Sequence, residues 1–108
     1  MNKYLTYLAL ILATPAAAFT PDDINNAQFT GTTLADGQSA LTVKLQVLLD
    51  RSGISPGVID GYAGGMSESA LRGFEAREGF KVDGLLDQQV WSALGGDNDL
   101  TVLQEYTV

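Results

Sequence analysis

The chain has 108 residues, 6 Lys and Arg against 13 Asp and Glu, a formal charge of −7, and neither Cys nor His. That composition excludes disulfide scaffolds, Cys or His nucleophile chemistry and Cys/His metal centres. Its acidity argues against nucleic acid or anionic membrane surfaces as partners.

The first segment, residues 1–18, reads as a secretory signal peptide. Lys3 gives a positive start, Leu5 to Ala13 an apolar run, and Ala16-Ala17-Ala18 the small residues that signal peptidase reads. The run is too short for a stable membrane anchor and Pro15 breaks it, so cleavage is expected near Ala18, with a periplasmic chain beginning at Phe19. Losing Lys3 takes the charge to 5 − 13 = −8. The remainder suffices for one domain that must bury most of its large apolar residues.

Residues 19–38 form an irregular lead-in, with anchors at Ile24, Phe29 and Leu34 and room for a turn of helix after Pro21. Ser39 then caps a helix. Leu41, Leu45, Leu48 and Leu49 fall on one face with Val47 beside them, while Lys44, Gln46, Asp50 and Arg51 take the other, and Gly53 stops it. The following "ISPGVIDGYAGG" is too rich in Gly and Pro for regular structure. It is also too apolar, at Ile54, Val58, Ile59 and Tyr62, for a free linker, and so reads as a packed loop.

A second helix is predicted with Ser67 as cap and Glu68 in its first turn. Its stripe is Ala70, Leu71, Phe74 and Arg77 or Glu78, its stop is Gly79, and Met66 staples to Leu71. A third, shorter helix starts at the Asp87 cap and carries Val90, Trp91 and Leu94. Leu86 is stapled to Trp91, and Gly95-Gly96 end the helix. The core domain is thus 39–96. Residues 97–108 make an extended tail whose alternation fits a short strand or a strap.

One device occurs twice. At a shift of 23 positions Ile59-Asp60-Gly61 meets Val82-Asp83-Gly84, and Ala70-Leu71 meets Ala93-Leu94. In each copy a branched residue is expected to plug the core, Asp-Gly to turn with Gly at positive φ, and the next apolar residue to re-enter before a helix. Neither copy buries its apolar side alone. The fold expected is all-α: a three-helix bundle of two turn-helix units plus one helix.

This ordered pattern resembles the peptidoglycan-binding-like domain family, type one. The likeness is carried by Leu45-Gln46, Leu49, Gly53, Val58-Ile59-Asp60-Gly61, Ser67, Ala70-Leu71, Phe74, Gly79-Phe80, Val82-Asp83-Gly84 and Trp91-Ser92-Ala93-Leu94. Within the family, "LQVLLDRSGISPGVIDGYAGG" looks most like the module preceding the catalytic domain of bacterial L,D-transpeptidases. Those enzymes use Cys and His, which this chain lacks, so the resemblance implies a non-catalytic recognition module that acts in cell-wall maintenance. The partners it implies are peptidoglycan, through glycan or stem peptide, or else a cell-wall transpeptidase on which the module docks as an adaptor. Two positions depart from the family: Glu75 stands where Gln is common, and Asp87-Gln88 replaces Gly-Pro. Glu75 is expected to add negative charge to a binding face.

The candidate ligand-binding residues are Asp60, Gly61, Tyr62, Gly64, Gly65, Ser67, Arg72 and Glu75. Tyr62 is either packed or presents a ring to sugar C–H groups. Arg72, opposite Leu71 and Phe74, either meets a carboxylate of a stem peptide or is an ordinary exposed Arg. Phe74 and Trp91 belong to the core. No cofactor or metal is expected: "DGYAGGMSESAL" lacks the oxygen-rich alternation of a calcium loop, and no Lys follows Gly64-Gly65 as a phosphate loop requires. Glu68, Glu75 and Glu78 crowd one helix, without the cleft that a paired-carboxylate glycosidase needs.

Overall fold

The computed structural model describes residues 4–6, 19–98 and 105–107. Most of the predicted signal peptide, with the expected cleavage point at Ala18, and the tail from 99 to 104 lie outside the described residues. Four helices run in order: α1 (Pro21–Asn25), α2 (Ala40–Arg51), α3 (Gly65–Glu78) and α4 (Gln88–Ala93). They form the all-helical domain that the periodicity implies. Two three-residue strands are also described: β1 (Tyr4–Thr6) pairs antiparallel with β2 (Glu105–Thr107), with Leu5 opposite Tyr106. Among the described residues no helix is long and apolar enough to cross a membrane.

α2 is the central element, packed against α1 and α3. Ser39 caps it as expected, its Oγ accepting from Thr42 N at 3.1 Å. Every residue from Thr42 to Leu49 is buried, however, so the polar face assigned to Lys44 and Gln46 is not a solvent face. The reason is the lead-in. Thr20 and Asp23 close a capping box on α1, Ile24 is fully buried, and the Phe29 ring lies 6.4 Å from that of Trp91. Lys44 runs beneath this cover and donates to Asn25 O at 2.9 Å and Ala27 O at 2.8 Å, with its ammonium 5.4 Å from the Trp91 ring centre. Burial pulls the Lys44 pKa below its ordinary value, an effect that the charge of Asp97 opposes.

The core gathers Ile24, Leu45, Leu49, Leu71, Phe74, Val90 and Trp91, each 2 % exposed or less. Each of these large side chains contributes about 1.5–3 kcal/mol by leaving water. α4 begins at Asp87 as predicted, with Val90 N donating to Asp87 Oδ1 at 2.8 Å. Beyond it Asp97 turns back, accepting from Gln88 Nε2 at 2.8 Å and from Ser92 Oγ. Gly96 lies against the indole so closely that a Cβ there would sit 2.1 Å from Trp91 Cε2.

Four local expectations need correction. α3 starts two residues before Ser67, with Gly64 at the N-cap, and Ser67 is buried inside its first turn. Met66 is therefore helical and 65 % exposed, not a staple; its thioether lies over Gly57 instead. Third, Val82 is 46 % exposed while Ile59 packs on the core. The second turn is held by its backbone rather than by a plug, and it is Leu86, not Leu85, that re-enters. The α3 stripe runs through Glu75, which is fully buried, and not through Glu78.

Candidate functional site

Both Asp-Gly turns are built the same way. Asp60 Oδ1 accepts from Tyr62 N at 3.0 Å, and Asp83 Oδ1 accepts from Leu85 N at 2.9 Å. Gly61 and Gly84 take φ of +81° and +71°, the left-handed region the motif requires. A buried side chain from a neighbouring helix hooks each turn. Gln46 Oε1 accepts from Asp60 N (3.1 Å) and Gly61 N (2.9 Å); Glu75 Oε1 accepts from Asp83 N (3.2 Å) and Gly84 N (2.8 Å).

The two hooks differ at their other end. Gln46 Nε2 donates to Tyr62 O at 3.1 Å and Ser67 Oγ at 3.2 Å, which ties the first turn to the start of α3. Gln38 Nε2 and Ser39 N add bonds to Asp60 O and Gly61 O. All of these except the Gln46–Ser67 bond, which joins α2 to α3, tie the glycine-rich loop to a rigid helix or to its start. Glu75 Oε2, by contrast, is buried with no hydrogen-bond partner. Burial pushes the Glu75 carboxyl above its usual range against the N–H donation from Gly84, while N–H donation from Leu85 holds the Asp83 carboxyl below its own.

Around the first turn of α3 runs a chain of shallow hollows. One, of about 220 Å³, is lined by Val58, Asp60, Tyr62, Gly65, Met66 and Ser67. Gly64 and Ser67 connect it to a second of about 170 Å³, which includes Glu68 and Leu71. Leu34, Leu71 and Gly84 lead on to a third of about 210 Å³ that ends at Leu85. Val58, Tyr62, Met66 and Leu85 are 70, 46, 65 and 62 % exposed, so this rim also carries most of the exposed large apolar side chains. Only a few large hydrophobics stand so far out of the domain, and their grouping on one rim is the mark of a contact surface.

Of the predicted site residues, Asp60, Tyr62, Gly64, Gly65 and Ser67 line the first hollow together. Gly61 is buried beneath it, where a Cβ would meet Val43 Cγ2 at 2.9 Å. Tyr62 is half-exposed, which answers the packing alternative. Arg72 is exposed on the flank of α3, pairs with Glu68 at 3.0 Å and rests against Gly84. Glu75 must be withdrawn as a contact residue, because its side chain is enclosed and adds no charge to the surface. Val58 and Met66 were missed. The signal for Met66 was in the repeat: a shift of 23 carries the Asp87 cap onto Gly64, which makes Met66 helical and turns it outward.

The family model described as "Putative peptidoglycan binding domain" matches residues 38–94. The chain belongs to that family. The match opens at Gln38, which bonds the first turn, and closes at Leu94, the last core residue before the α4 stop. It covers both hooks and both turns, and it leaves α1 outside although Ile24 completes the core. No curated protein and no solved structure gives a significant match, and nothing in the family match links the domain to L,D-transpeptidases.

Proposed function

We propose that the chain is an exported, non-catalytic module that binds peptidoglycan through the rim at the start of α3 and serves cell-wall maintenance in the periplasm. The observation that carries the reading is the pairing of exposed Val58, Tyr62 and Met66 with a loop whose backbone is locked by Gln46. A surface already fixed in place loses little entropy on binding, which suits a shallow site. Tyr62 offers a flat face to sugar C–H groups, while Asp60 in the same hollow and Glu68 in the adjoining one offer negative charge to the free amine of a stem peptide. Arg72, on the α3 flank beside Gly84, is placed for a stem-peptide carboxylate once it leaves Glu68.

Sedimentation with purified sacculi tests this. The chain beginning at Phe19 should co-sediment, and Tyr62→Ala should bind about fivefold more weakly, the equivalent of roughly 1 kcal/mol. Protein wholly in the supernatant at low and moderate salt would remove the reading; equal binding by Tyr62→Ala and Arg72→Ala would remove the site alone.

A second reading has its own support. Val58 and Met66 are apolar surface of the kind protein partners cover, and among the described residues β2 pairs with β1 alone, inside the predicted signal peptide. Once cleavage removes β1, β2 is free to add to the sheet of a cell-wall enzyme such as a transpeptidase. Cross-linking in the periplasm should then capture one enzyme, and deleting 100–108 should abolish the capture.

A further inference from the structure

The first turn shows what an Asp-Gly corner of this fold needs: an acceptor on the two turn N–H groups, and a donor on the other side. Gln46 supplies both with one amide. At the second turn the acceptor is present, but the donor is replaced by a carboxylate oxygen, Glu75 Oε2, which is enclosed and unpartnered. It does not sit among donors. Carboxylate oxygens of Glu75, Asp83 and Asp87 lie within 4.8 Å of one another. Backbone N–H groups occupy Oδ1 of Asp83 and of Asp87, and each carboxylate has a second oxygen. Three carboxylates thus gather at the second turn, where the first turn has the Gln46 amide. A buried oxygen without a donor destabilises the fold, and like charges add to that cost. Positive charge belongs there.

We propose that Glu75, Asp83 and Asp87 form a calcium site that fastens the second turn between α3 and α4. The ligand set is all oxygen, which selects a hard cation. Calcium holds oxygens at about 2.3–2.6 Å in flexible geometry, which suits ligands gathered within 4.8 Å and completed by water; magnesium demands a near-ideal octahedron at about 2.0–2.1 Å. Glu75 is enclosed, Asp83 half-buried and Asp87 exposed, so the ion would enter from the Asp87 side and keep water on its outer face. A shared proton satisfies only the Glu75–Asp83 contact, whereas a divalent ion neutralises all three groups. The calcium loop absent from the sequence is replaced by ligands gathered from three separate places in the chain.

Thermal unfolding of the full chain, stripped with chelator and then titrated with calcium or magnesium at neutral pH, tests the site. Calcium at millimolar level should raise the midpoint by several degrees, with magnesium well behind. Glu75→Gln, which copies the Gln46 corner, should fold, be at least as stable as the parent in chelator, and lose the calcium response. Asp87→Ser, which keeps a capping oxygen, should weaken the response without removing the fold. No shift of the parent with calcium would overturn the proposal, and so would equal shifts with both ions, which is screening of an acidic surface. An undiminished response in Glu75→Gln would place the ion elsewhere and overturn it too.

Discussion

Gln46 and Glu75 occupy equivalent places with unequal chemistry, and stability should register the difference. Replacing Gln46 by Ala strips the acceptor from Asp60 N and Gly61 N and the donor from Tyr62 O and Ser67 Oγ. Leaving such groups unpaired at a buried corner should cost about 2–3 kcal/mol, read as a lower urea midpoint at unchanged slope. Gln46→Glu keeps the acceptor but turns a carboxylate oxygen toward Tyr62 O and Ser67, so it should also destabilise, whereas Glu75→Gln should not. Equal penalties for these two exchanges would deny that the hooks correspond. Neither hook was legible as such. Helical periodicity assigned Gln46 to solvent because it scores polarity, and a polar side chain satisfied by backbone groups looks the same in sequence as a hydrated one. The turn glycines were legible, since only their backbone freedom suits the conformation they adopt.

The elements were easiest to read where a cap has a side chain. Ser39 and Asp87 carry an oxygen that accepts the capping bond, and α2 and α4 begin where those residues say. α3 begins at Gly64, which caps with no side chain, and the nearest Ser was a decoy placed inside the helix. The equal spacing of the two turn-helix units held the correct answer, because it aligns cap with cap as well as turn with turn. The same helix gives a paired test. Gly73 lies mid-helix and exposed, and a Cβ added there would have nothing nearer than Ile54 Cγ2 at 3.8 Å, so Gly73→Ala should raise stability by about 0.5–1 kcal/mol. Gly84→Ala should do the reverse by at least about 1 kcal/mol, because φ is +71° and the added carbon would sit 2.8 Å from Glu68 Cγ and 2.9 Å from Arg72 Nε. Chemical denaturation of both variants checks the pair: like signs would contradict the backbone geometry of the second turn.

At the scale of the whole molecule the lead-in decides how far the domain extends. A bundle of α2, α3 and α4 alone would leave the Lys44 face of α2 wet and uncover the Trp91 ring of α4 beside it. α1 and the residues just after it close that face with Ile24 and with two backbone carbonyls that receive the Lys44 ammonium. Ile24, Phe29 and Leu34 were visible as anchors, but the surface they cover is assembled from residues far along the chain, which local periodicity does not report. Ile24→Ala should therefore cost about 2–4 kcal/mol, as a core truncation does, and not the few tenths of a mobile leader. Trp91 is the sole Trp and fully buried, so its fluorescence reports the same transition. The loss should appear as one shifted cooperative unfolding curve. An early phase, with Trp91 still buried, would mean that the lead-in comes away as a separate unit. The strand pair makes the opposite case. Among the described residues every buried core side chain lies between Ile24 and Leu94, so a chain cut to 19–98 should unfold at the temperature of the full chain, and a lower midpoint would show that β1 and β2 support the helices.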